Sequence, residues 1–126
     1  MTPWKFLLSF AAAGLPLGSG AQPQLVEVPL PVGQALVREL VAPPRDFIEL
    51  CSRLKGGRLL AWAFEAAEPL VFTTHVHADG GVKDSETMSA VTAAKGRLVL
   101  NGDHIYCWVW SNANGTPVTI RVRWSP

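Results

Sequence analysis

Apolar side chains recur at every second position through most of this chain, which is the period of a β-strand with one face buried. Across His104–Asn112, Tyr106, Trp108 and Trp110 alternate with Ile105, Cys107 and Val109. One face of that strand therefore carries three large rings, each able to bury about 150–250 Å², and it is expected at the centre of a β core. Asp46–Leu54 sets Ile48, Leu50, Ser52 and Leu54 against Phe47, Glu49, Cys51 and Arg53. Arg58–Glu65 puts Leu60, Trp62 and Phe64 on one face and Ala61 and Ala63 on the other. In Leu70–Ala78, Leu70, Phe72, Thr74 and Val76 oppose Val71, Thr73, His75 and His77. The last run turns Val118, Ile120, Val122 and Trp124 inward and Thr119, Arg121 and Arg123 outward.

The breaks between these runs are turn-forming. Ala42-Pro43-Pro44, Lys55-Gly56-Gly57, Asp79-Gly80-Gly81, Asn101-Gly102-Asp103 and Asn114-Gly115 each carry residues suited to reversing the chain. Glu68-Pro69 interrupts the pattern between Arg58–Glu65 and Leu70–Ala78 and predicts two separate strands there. Leu25–Val32 holds Pro29 and Pro31, so it is confined to an edge strand or an extended arm, and Gln34–Val41 reads as a further strand. Val82–Thr92 is polar and shows no period, while Arg97–Leu100 is apolar enough for a short strand. About seven or eight short strands at 8–12-residue spacing predict an all-β fold, an antiparallel β-sandwich. The aromatics expected in its core are Trp62, Phe64, Phe72, Tyr106, Trp108, Trp110 and Trp124.

The first residues follow a different pattern. Lys5 precedes the apolar run Phe6–Leu17, and Ser19-Gly20-Ala21 supplies small residues, so residues 1–21 read as a secretory signal cleaved after Ala21. The run falls short of the roughly 20 apolar residues that span a bilayer. Residues 22–126 then form one small domain of about 105 residues. Without Lys5 the 11 basic side chains become ten, matching the 10 acidic ones. That balance gives no electrostatic case for nucleic acid or an anionic membrane surface. The expected location is periplasmic or secreted, with no membrane span after signal cleavage.

An alternating aromatic strand running into Ser111-Asn112, then a turn and a last apolar strand, resembles the end of a GOLD (Golgi-dynamics) domain. The Cys51 strand, the Gly-Gly turn, the aromatic strand Leu59–Phe64 and Leu70–Ala78 extend the likeness to about Ile48–Trp124. The cargo receptors of that family continue into a coiled coil and a membrane anchor, and their second cysteine stands closer to the Ser-Asn pair. Bacterial GOLD-like sequences are more similar, since they combine a His-x-His strand with a Tyr-Cys-Trp-x-Trp strand. The resemblance implies a β-sandwich that serves as a binding module with a protein or peptide partner.

The remaining chemistry rests on 2 cysteines and 3 histidines. In an oxidising compartment Cys51 and Cys107 are candidates for a disulfide. If they stay reduced, they are instead candidates for metal thiolates. His75 and His77 share one strand face, roughly 6.5–7 Å apart, and two imidazoles so placed can converge on one ion. With reduced cysteines they complete a Cys2His2 set suited to copper(I) or zinc. If the cysteines are bridged, His104 or Met88 would have to complete a site. A cupin-type site also begins with His-x-His, but Gly81 and Val82 stand where its glutamate belongs. Nothing resembles a serine nucleophile elbow or a phosphate-binding glycine loop. Two functions follow from these residues. The first is a non-catalytic interaction module without a cofactor; the second is a copper- or zinc-handling protein using His75, His77, Cys51 and Cys107.

Overall fold

Eight strands join into one sheet in a computed structural model that describes residues 24–27, 30, 33–85 and 87–126. They are β1 (Gln24–Glu27), β2 (Leu36–Ala42), β3 (Asp46–Leu54), β4 (Arg58–Ala78), β5 (Gly81–Asp84), β6 (Met88–Leu100), β7 (His104–Asn112) and β8 (Val118–Ser125). The signal segment expected over residues 1–21 lies outside the described residues. So do residues 28, 29, 31 and 32 of the expected N-terminal arm.

The fold is all-β and antiparallel, as the alternation predicts, except that β1 runs parallel to β3. Its two layers are not separate sheets. They are two wings of one curled sheet that share β4, a strand of 21 residues. The first half of β4 pairs with β8, which carries β2 beyond it. The second half pairs with β7, which carries β3 and then β1. Along its other edge β4 is followed by β6 and, at its end, by β5.

The expected break at Glu68-Pro69 is therefore a bend within one strand. β4 leaves β8 after Ala66 and joins β7 at Val71, and its register with β6 skips from Glu65 to Leu70. Ala67, Glu68 and Pro69 pair on neither edge, so a residue without an N–H interrupts no ladder there. The bulge lets the sheet turn the corner between wings.

The inward faces of the wings meet in the core, and the seven aromatics expected there are all buried. Trp62 and Phe64 of one wing meet Phe72 of the other at 5.0 and 4.7 Å between ring centroids. Trp108 stands edge-on to Trp124 across the layers at 5.6 Å. Leu40, Ala42, Ile48, Leu50 and Leu70 fill the space around them.

Strand β6 reaches well beyond the expected Arg97–Leu100, starting at Met88. Gly96 lies inside it, although glycine is a poor strand former. In the sheet Gly96 faces Trp62, and a Cβ there would come within 2.8 Å of the indole ring. The absent side chain makes room for the ring. The polar stretch Val82–Thr92 contains β5 and the start of β6, strands exposed enough to show no apolar period.

Asn112 ends β7 with a buried amide that fastens the loop beyond it. Its Nδ2 donates to the carbonyls of Thr116, Pro43 and Ala42 at 2.9, 3.1 and 3.2 Å. Its Oδ1 accepts from the Asn114 backbone N–H at 2.8 Å. Asn112→Ala would strand buried carbonyls and is expected to cost about 2 kcal/mol in a urea titration. A loss within experimental error would mean that the loop holds its shape without the amide.

Candidate functional site

Strand order assembles the candidate residues. Because β7 runs between β3 and β4, the outward face of this wing is a lattice of rows. Cys51, Cys107 and His75 form one row, Glu49, Val109 and Thr73 the next, and Arg53, Ile105 and His77 another. β5 extends two of these rows, with Asp84 opposite His75 and Val82 opposite His77.

Cys51 and Cys107 are directly opposed, with Cα atoms 4.1 Å apart, and are joined by a disulfide. Both are buried. The bridge takes both sulfurs out of the thiolate set that sequence reading combined with His75 and His77. That Cys2His2 arrangement is not present while the bridge stands.

Another side chain takes the place beside the histidines. Glu49 on β3 and His75 on β4 are two strands apart, yet Glu49 Oε2 lies 2.7 Å from His75 Nε2. The two reach each other over Cys107, whose short side chain is drawn toward Cys51 and leaves the space free. On the other side of the ring, Asp84 Oδ1 is 3.9 Å from His75 Nδ1. His77 stacks edge-on to His75 with centroids 4.9 Å apart. One donor atom each from Glu49, His75, His77 and Cys107 lie within 4.8 Å of one another. The side chains of His75 and Glu49 are 14% and 20% exposed, so solvent reaches the pair from one side only.

Glu49 was missed in the sequence because alternation assigns a face and not a neighbour. It shares the outward face with Cys51, but nothing local says which strand lies beside it. His104 and Met88 take no part in the cluster. His104 packs beside Tyr106, and Met88 pairs with Phe72 against the core.

The outward face of the other wing has a different character. Lys95, Ala63 and Arg123 form one row across β6, β4 and β8. Arg97, Ala61 and Ser125 form the next, and Ala93, Glu65 and Arg121 another. Alanines floor a shallow groove of about 430 Å³ between basic side chains on either side. Glu39 on β2 stands beside Arg121 beyond it. None of the four cations makes an ion pair with a described residue. Beyond Ala61 and Arg97 the same face carries Leu59 and Val99, paired across β4 and β6 and 49% and 58% exposed.

Fold and site thus define an all-β domain with a cross-strand disulfide and two chemically distinct outer faces. No family model matches the sequence, and no curated protein matches it. Among solved structures the chain is similar to PliG of Aeromonas hydrophila, a periplasmic lysozyme inhibitor of g-type lysozyme. The two share 14% identity at a TM-score of 0.45, over 82% of this chain and 98% of that chain.

Proposed function

We propose that this chain is an exported, non-catalytic interaction module that binds the acidic surface of a protein partner on the outward face of β6, β4 and β8. The observation carrying this reading is the groove in which Lys95, Arg121 and Arg123 flank a floor of alanines and Glu65, with Arg97 in the next row and none of the four cations ion-paired with a described residue. Small floor residues let a partner approach the backbone, and the flanking guanidinium groups match carboxylates in bidentate geometry. Leu59 and Val99 add an apolar margin to the same surface. Four cations interleaved with Glu65 and Glu39 favour a carboxylate pattern over a continuous phosphate backbone.

The Cys51–Cys107 bridge supports an oxidising compartment, periplasmic or secreted. Support for a non-catalytic role comes from Cys107, the nucleophile type beside the Glu49–His75 pair, which is held in the bridge. The GOLD-like pairing of His-x-His and Tyr-Cys-Trp-x-Trp strands points toward a binding module as well.

Charge reversal tests the groove. The immobilised chain and its Arg121→Glu, Arg123→Glu variant are exposed to an exported-protein fraction, with duplex DNA as a separate probe. The expected result is an acidic protein retained by the wild type, released by salt, and reduced about tenfold or more on the variant. Equal retention by both proteins, or salt-sensitive binding of DNA alone, would overturn the reading.

A further inference from the structure

We infer that the outward face of β3, β7 and β4 holds a zinc ion between Glu49, His75 and His77, on the wing opposite the cationic groove. Two imidazoles and one carboxylate suit zinc, and three protein ligands leave a fourth position for water. Donor atoms in a tetrahedral site with bonds of 2.0–2.1 Å stand about 3.3 Å apart. Those of Glu49, His75 and His77 already lie within 4.8 Å, so small side-chain rotations close the set.

The face is built for such rotations. Cys107 lies beneath the site with its sulfur drawn to Cys51, so no bulky side chain stands between Glu49 and His75. Glu49 Oε2 and His75 Nε2 already meet at 2.7 Å, so the two donor atoms need only part slightly to admit the cation between them. Asp84 Oδ1 stands 3.9 Å from His75 Nδ1, outside hydrogen-bond distance, and is the carboxylate placed to close on that ring N–H when Nε2 binds the ion. His77 is exposed and edge-on to His75, free to swing its ring onto the same ion. The sulfur of Cys107 is within the same reach but is spent in the bridge, which separates this set from a thiolate site.

The test is a calorimetric titration of the oxidised, full-length chain with zinc alone. The wild type is expected to take up about one equivalent and to melt higher when loaded. His75→Gln with His77→Gln should abolish binding while the metal-free melting point stays within a few degrees. Glu49→Gln should weaken binding roughly tenfold or more, which a bare histidine pair would not show. The Arg121→Glu, Arg123→Glu variant should bind zinc as the wild type does, so failure of the groove leaves this site standing. No uptake by the wild type, or unchanged uptake by Glu49→Gln and the double histidine variant, would overturn it.

Discussion

Trp108→Ala is expected to lower stability by about 3–5 kcal/mol, a large share of the 5–15 kcal/mol that holds a typical domain folded. Trp108 is fully buried at the centre of β7, between β3 and the second half of β4. Its ring closes the core by meeting Trp124 edge-on from the opposite wing at 5.6 Å. Truncation would open a cavity that neither wing can fill, because the disulfide and the ladders on both sides fix β7. The indole N–H has no hydrogen-bond partner among the described residues, so the loss measures packing. Arg121→Ala, on the outward face, should cost under about 0.5 kcal/mol. Paired urea titrations settle the comparison, and similar losses for both would mean that Trp108 does not hold the wings together.

Replacing both cysteines, Cys51→Ala with Cys107→Ala, is expected to cost about 4 kcal/mol. The bridge joins residues separated by 56 positions, and a loop of that size restricts the unfolded chain by roughly that amount on the chain-entropy model. Alanine rather than serine keeps a buried hydroxyl out of the comparison. Because the bridge restrains the unfolded chain, its removal should also steepen the urea dependence, as more surface becomes exposed on unfolding. A loss under about 1 kcal/mol with an unchanged slope would mean that the bridge contributes little beyond the packing of β3 on β7. The same variant separates the two metal readings. Zinc uptake that survives it belongs to Glu49, His75 and His77, and uptake that disappears with it belongs to a set that needs sulfur.

Strand β4 explains how one small sheet presents two unlike faces. Its first half lends Ala61, Ala63 and Glu65 to the groove, and its second half lends His75 and His77 to the histidine cluster. The bend at Ala67–Pro69 turns these outward faces apart while their inward faces close on one another. Two ligands could thus be held without competing for the same surface.

Side-chain alternation by itself determined which face is buried in β3, β4, β7 and β8. Ile48, Leu50, Ser52 and Leu54 point inward as the period of two requires, and so do Trp62, Phe64, Tyr106, Trp108 and Trp110. That information is local, because burying one face of a strand is the same physical problem whatever lies beside it. Three things were decided only by the tertiary structure. Gly96 and Pro69 signal breaks locally, yet one accommodates the Trp62 ring and the other sits in a bulge between two ladders. Cys51 and Cys107 were free to bridge or to bind metal until β3 and β7 paired with those residues in register. Glu49 joined His75 because β7 runs between their strands with a small residue at the crossing. Strand order follows from pairings between distant segments, and no period within a single strand carries it.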